Sequence, residues 1–387
     1  MAEAGIRNTK MVEPETTGSA KVATPPKRFA YIDELRGLAV LLVVFVHVGY
    51  YLDESLLITR VSRYGQYGVQ LFFMLSAFTL CHSMDRLPGL SRGDYRAFFV
   101  KRFFRIAPLY YAALVGYTAY SIASHRLFGK TPWTEPADYS AAGFLTNLTF
   151  TNGLWPPAVN QVVPGGWSIG CEFLFYAIFP FLFFATRKRP AVLVAVAGGA
   201  VALSATLPWL LAPLGWRETP GNDTFYYYSI INQLPCFMVG MLYFHFRERR
   251  GFAAGALALG LPALVALALI HEQQGWWIIT PLIAGVMFTA VAIAAEKLPR
   301  LMLLAHIGEC SFSIYLVHFI VTWNLGVLCL RKLPQFADNT LSAIGLYLVV
   351  TAISFGISRL TYRFVELPFI SLGHKVAGSI KKSERLE

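Results

Sequence analysis

The sequence predicts an all-α fold, a polytopic membrane helical bundle with about ten transmembrane helices. Three observations predict it. Of 387 residues, 56% are hydrophobic, the mean hydropathy is +0.51, and 30 Phe and 19 Tyr exceed what a water-soluble domain normally carries. Apolar runs recur at 35–53, 68–84, 103–123, 167–186, 190–212, 225–246, 252–270, 276–295, 309–330 and 341–364. Each is long enough to cross a hydrocarbon layer of roughly 30 Å. Basic residues concentrate on alternate connections, as the positive-inside rule requires of genuine spans.

Along the chain, residues 1–28 are rich in Thr, Pro, Lys and Glu and hold too little apolar side chain to fold. They are expected to form a disordered cytoplasmic arm. The run that follows lacks a small-residue cleavage site, so the first span is expected to act as an uncleaved signal anchor. With the N-terminus inside, the cytoplasmic connections carry Arg86, Arg92, Arg96, Lys101, Arg102 and Arg105, then Arg187-Lys188-Arg189, then Arg247, Arg249 and Arg250, then Lys297 and Arg300. The opposite connections hold scattered charges such as Arg60, Arg126 and Arg217. Both termini are therefore expected in the cytoplasm, with 29–370 as one transmembrane domain and 371–387 as a basic tail. The connection at 124–166 does not fit a span: Ala141 to Trp155 is short, rich in Asn and Thr, and followed by Pro156-Pro157. Counting it would invert every later loop against the charge rule, so it is expected to be an external or re-entrant segment that covers an acceptor site, with Trp133, Tyr139 and Trp155 at the interface.

The net charge of +11 comes from residues that punctuate apolar runs instead of forming one patch, so nucleic acid is excluded as a partner and the lipid bilayer is the expected one. Cys81, Cys171, Cys236, Cys310 and Cys329 show no CxxC and no metal-ligand spacing. They read as small core hydrophobes, and no metal is expected. Cys171 lies beside Glu172, but a buried thiol without a base stays protonated, which argues against an acyl-cysteine.

Expensive polar groups within the spans locate the candidate site. Arg36 and His47 are eleven residues apart, three helical turns plus roughly 20°, so they share one face and lie roughly 16 Å apart along the axis. The arginine can snorkel to an interface, whereas the imidazole falls near mid-membrane. Glu172 opens the fourth span, where a carboxylate must be paired or face water. Tyr315 and His318 share a face of a later span, and Arg102 and Arg105 share a face at a cytoplasmic mouth, an arrangement suited to clamping phosphate. The plain alternatives are packing for the histidines and for Tyr315, topology setting for the arginines, and a structural pairing with a basic residue for Glu172.

In this order, the residues resemble the acyltransferase 3 family of membrane acyltransferases over about 29–370. Tyr31-Ile32-Asp33-Glu34-Leu35-Arg36-Gly37-Leu38-Ala39 followed by His47 is similar to the family's Arg-x10-His signature, and Gly68 to Phe78 to its second-span motif. Arg102-Phe103-Phe104-Arg105 resembles its Arg-x-x-Arg element, and Trp167-Ser168 with Glu172 and Phe175-Tyr176 its Trp-Ser block. Ser313 to His318 and Glu366-Leu367-Pro368-Phe369 complete the order. The chain departs from the pattern at Gln70 and Phe173, where acidic residues are common, and at Ala77, where glycine is.

The resemblance implies transfer of an acyl group, usually acetyl, from cytoplasmic acyl-CoA as co-substrate to a hydroxyl of a cell-envelope or exported carbohydrate, in a bacterial inner membrane. It implies donor binding by Arg102, Arg105 and Arg36. His47 is the implied base or transient acyl carrier, and Glu172 the carboxylate that orients a histidine. His318, Tyr315, Trp167 and Ser168 are implied as lining residues. A transporter or flippase is the rival reading, since buried His, Glu and Arg also line translocation paths.

Overall fold

In a lipid layer every backbone polar group must be satisfied within its own segment, and apolar runs of this length accordingly fold as helices. A computed structural model describes residues 30–129, 140–214, 224–270, 279–333 and 335–384. Fifteen α-helices follow in order: α1 (Ala30–Gly49), α2 (Leu57–Ser62), α3 (Gly68–Met84), α4 (Arg92–Phe128), α5 (Ala141–Leu148), α6 (Gly166–Thr186), α7 (Pro190–Leu211), α8 (Thr224–Tyr228), α9 (Ile230–Phe246), α10 (Phe252–Ile270), α11 (Thr280–Lys297), α12 (Met302–Glu309), α13 (Ser311–Lys332), α14 (Thr340–Thr361) and α15 (Leu367–Glu384). Among the described residues there are no strands. The expected arm, Trp133 and Tyr139 lie outside them.

The predicted runs fall largely on helix where they are described. Among the described residues six helical stretches, α6, α7, α10, α11, α13 and the stretch from α14 through α15, are both long and apolar enough to cross a membrane, which leaves the count of about ten unconfirmed. The physical reasons differ. The first turns of α1 hold Asp33, Glu34 and Arg36. α3 and α9 are 17 residues each, and α4 extends over 37 residues with a strongly basic first half. α5, at eight residues, is too short to cross, and Asn147 at its end is buried, accepting from Tyr110 Oη at 2.6 Å.

α1 is the central staff, packed against α3, α12, α13 and α14. Glycine makes the approach to α12 close: a Cβ at Gly37 would run into the Leu304 carbonyl, and one at Gly308 into the Asp33 carbonyl. This fixes the rotation of α1 beside Arg36. By contrast, 11% of the apolar stretch of α10, 22% of that from α14 through α15 and 28% of that of α7 are buried, against 56% for α6, so these helices lie at the margin of the bundle. The C-terminal stretch continues through a π-turn at Tyr362–Glu366 into α15, which packs along α4.

Candidate active site

Two cavities lie along α1, one around each residue of the Arg36/His47 face. The arginine cavity, ≈ 80 Å³, is lined by Arg36, Arg102, Arg105, Ser76, Glu172 and Tyr176, among others. Arg36 comes from α1, and Arg102 and Arg105 from one face of α4. Arg36 makes long contacts, to Asp33 at 3.5 Å and Thr79 Oγ1 at 3.5 Å. The Arg102 guanidinium sits 5.7 Å from the ring centres of both Phe98 and Tyr176, and its buried Nε has no hydrogen-bond partner. Glu172 accepts from Ser76 Oγ at 2.6 Å and from the Tyr176 hydroxyl, and interacts electrostatically with Arg36 and Arg102. Three guanidinium groups share this lining with one carboxylate, while Asp33 lies beside Arg36 and Glu366 interacts with Arg105 from outside it, and guanidinium groups this close together are donors suited to phosphate.

The histidine cavity is larger, ≈ 450 Å³, and its walls are mainly aromatic. His47 shares it with Tyr50, Tyr51, Trp167, Tyr228 and Trp323, and Gln66 and Asn160 supply neutral polar groups. Among the described residues no Asp, Glu, Lys or Arg lines it. His47 Nδ1 lies 2.7 Å from the Val43 carbonyl and 3.2 Å from His318 Nε2, and Phe319 packs on its ring with centroids 4.4 Å apart.

Val69 and Tyr315 border both cavities and form the wall between them. Tyr315 is held there: its hydroxyl donates to Gly165 O at 2.9 Å and accepts from Ser168 Oγ at 2.8 Å. Gly165 can take this place because it adopts φ +73° at the N-cap of α6, a conformation that side chains disfavour. Trp167 stacks on Tyr228 at 4.5 Å on the histidine side.

The sequence-predicted residues thus divide. Arg36, Arg102, Arg105 and Glu172 line one cavity, His47 and Trp167 the other, Ser168 lines the arginine cavity, and Tyr315 borders both. His318 is fully buried behind His47. Glu172 contacts Ser76 and Tyr176, and the group facing His47 is His318. The departures resolve into packing: buried Gln70 donates to Tyr227 Oη and Gln233 Oε1 at 3.0 and 2.9 Å, and Phe173 stacks on Phe150 at 4.1 Å. Sequence reasoning missed Ser76, Tyr176 as a ligand of Glu172, and Glu366. The i, i+4 spacing of Glu172 and Tyr176 signals the second. Glu366 is 2% exposed, accepts from Ser313 Oγ and interacts electrostatically with Arg105; only its place in the terminal Glu-Leu-Pro motif hinted at it. Cys171 is buried with its thiol on the Tyr228 carbonyl at 3.1 Å. Among the described residues no group of His, Cys, Asp or Glu could hold a metal ion.

Relatives match along most of the chain. The chain is 26% identical over 381 residues to the acyltransferase MdmB of Streptomyces mycarofaciens, covering 90% of this chain and 94% of that one. It is 25% identical to the putative membrane-bound transacylase BcsY of Komagataeibacter xylinus, over 88% of this chain and 83% of the relative. The peptidoglycan O-acetyltransferase OatA of Listeria monocytogenes is 25% identical over 87% of this chain, which spans 55% of OatA. No solved structure matches. The acyltransferase domain profile (acyltransferase 3) matches residues 29–361, and the chain, helical and membrane-spanning, belongs to that family of acyltransferases.

Proposed function

We propose that this protein is an integral-membrane O-acyltransferase that moves an acyl group, acetyl by preference, from cytoplasmic acyl-CoA to a hydroxyl of a cell-envelope or exported carbohydrate. The observation that carries the reading is the pair of unlike cavities sharing the Val69/Tyr315 wall, one cationic, the other aromatic with a histidine. Acyl-CoA bears phosphates, and three guanidinium groups, one with a buried unpartnered Nε, suit them. At ≈ 80 Å³ the arginine cavity takes the phosphate or acyl end of such a donor and not its whole length. Glu172, fixed by Ser76 and Tyr176, holds Arg36 and Arg102 in position. Aromatic walls with scattered amides suit a sugar ring, whose C–H faces are apolar and whose rim is polar.

In this reading the arginine cavity opens to the cytoplasm and the donor carbonyl meets the acceptor hydroxyl at the Val69/Tyr315 wall. The hydroxyl oxygen attacks the thioester carbon, and its proton passes to His47 Nε2. The C–S bond then breaks, and the CoA sulfur leaves with the proton that His47 took up. The name of OatA supports an O-linked acetyl product on a cell-wall polymer, and those of MdmB and BcsY support acyl transfer more broadly.

The test is purified protein in nanodiscs with radiolabelled acetyl-CoA and a crude host glycan fraction. Wild type should transfer label, and His47→Ala should lose about 10²- to 10⁴-fold in rate, the usual worth of a general base, while keeping its thermal melting profile. Folded wild-type protein that turns over neither acetyl-CoA nor longer acyl-CoAs would shift the reading to transport, and a fully active His47→Ala variant would remove the base.

A further inference from the structure

The two imidazoles at the crossing of α1 and α13 are bonded in a way that assigns their protons. His47 Nδ1 is 2.7 Å from the Val43 carbonyl, and His318 Nδ1 is 3.0 Å from the Ile314 carbonyl, in each case the residue four back on its own helix. A carbonyl oxygen only accepts, so each Nδ1 carries its proton and each Nε2 is bare in the neutral ring. His318 Nε2 then faces His47 Nδ1–H at 3.2 Å as a second acceptor. The remaining ring nitrogen, His47 Nε2, belongs to the one imidazole of the two that lines the histidine cavity. His318 is 0% exposed and lines neither cavity.

We propose that His318 is the positioning partner of His47: its Nε2 shares the His47 Nδ1–H with the Val43 carbonyl, which holds the ring in the orientation that bares His47 Nε2 toward the histidine cavity and shares the charge when that nitrogen is protonated. This rests on His47 being the base. The arrangement does the work that a carboxylate does in a Ser-His-Asp triad, but with a neutral acceptor. Burial supplies the reason, because His318 is 0% exposed and a carboxylate in its place would be costly to bury without a cation. Aromatic rings enclose the pair: Phe319 lies 4.4 Å from the His47 ring and 4.1 Å from the His318 ring, Tyr50 packs edge-on to His47 at 5.6 Å, and Tyr315 sits 5.9 Å from His318. These contacts restrict both rings to the orientation in which the bond forms.

Two variants separate positioning from packing. His318→Ala removes the acceptor, whereas His318→Gln can return an amide oxygen close to the lost Nε2. For a group that acts through another, the expected fall in kcat for His318→Ala is about 10- to 100-fold, by analogy with outer-shell partners of functional histidines. KM for acetyl-CoA should stay unchanged, and His318→Gln should recover most of the rate. Loss of rate in His318→Gln equal to that in His318→Ala, with both folded, would overturn the proposal, as would an unimpaired His318→Ala. A second measurement does not depend on turnover. Solid-state ¹⁵N spectra of histidine-labelled protein in bilayers, with His47 assigned by difference against His47→Gln, should show His47 protonated at Nδ1 in wild type, with an Nδ1 resonance that shifts in His318→Ala as the second acceptor is lost. An Nδ1 resonance indifferent to His318 sinks this inference even if the enzyme is active. A missing activity in wild type sinks the functional reading, while the spectra still decide the pair.

Discussion

The two cavities share α1 and one wall but are built from opposite materials. Around Arg36 the lining is ionic and small, with charge balanced by geometry: three guanidinium groups, and one carboxylate held by two hydroxyls. Around His47 it is aromatic, roomier and, among the described residues, free of formal charge. In the first, Asp33 lies 3.5 Å from Arg36 and Glu172 interacts electrostatically with Arg36 and Arg102, whereas in the second one imidazole, His47, is backed by another, His318. The difference teaches that one face of one helix can line two unlike cavities that share a single buried side chain, here Tyr315, as a border.

The largest effect that would break this division comes from its ionic side. Charge-assisted hydrogen bonds are worth about 1.5–3 kcal/mol each, so replacing both Arg102 and Arg105 with Ala should raise KM for acyl-CoA roughly a hundredfold or more. KM for the acceptor should not move. Steady-state kinetics with each substrate varied in turn decides it; a rise confined to the acceptor would show that the cavities have been assigned the wrong way round.

On the aromatic side the expected loss is smaller. Trp323 packs edge-on to Tyr51 with centroids 6.5 Å apart, and both line the histidine cavity. An aromatic contact contributes about 0.5–1.5 kcal/mol beyond its buried area, so Trp323→Ala should raise the acceptor KM several-fold, with the donor KM held. Equal changes in both constants would mean that the wall does not partition binding.

The wall itself can be struck through Gly165. At φ +73° a Cβ there would lie 2.7 Å from Tyr315 Oη and 2.9 Å from the Phe319 ring. Gly165→Ala should cost about 1–3 kcal/mol from backbone strain alone, lowering the melting temperature and reducing kcat through displacement of Tyr315 and Phe319. Unchanged melting and unchanged turnover together would show that the wall is slack.

The sequence made the linear part of this picture legible. Eleven-residue spacing put Arg36 and His47 on one face, three-residue spacing put Arg102 beside Arg105, and apolar runs located the helices, since each depends on one helix's own periodicity. What lay across helices was not legible. His47 meets His318 from 271 residues away, and Glu172 meets Ser76 from 96, contacts that are set by how α1 crosses α13 and α3 faces α6. Glu172 was therefore read as a partner for histidine when its nearest partners are hydroxyls. The span count is unconfirmed for a related reason: hydropathy does not foresee where a helix ends, and α3 and α9 stop at 17 residues.

The smallest predicted effect concerns how the arginine helix is braced far from either cavity. The first turn of α4 is tied to the end of α15: Lys381 Nζ donates to Asp94 Oδ1 at 2.5 Å, and Glu384 accepts from Gly93 N at 2.6 Å and from Ser91 Oγ at 2.9 Å. Burial raises the Asp94 carboxyl, but hydrogen bonds from Lys381 and Ser91 outweigh it, and the net position is below the usual carboxylate range. A depressed carboxyl contributes stability that is present above its unfolded value of about 3.9 and is lost as pH falls through the lowered folded value. The tie should therefore hold at neutral pH and weaken only in strong acid. Because the Lys381 and Asp94 side chains are partly exposed, at 35% and 18%, Lys381→Ala should cost at most about 1 kcal/mol and less at high salt. Hydrogen exchange of the α15 amides, corrected for intrinsic rates, should quicken modestly in Lys381→Ala at neutral pH while acyl transfer stays within about twofold of wild type. If transfer instead falls as far as it does in the arginine variants, α15 sets the position of Arg102 and Arg105 directly, and the ionic cavity extends to the end of the chain in all but contact.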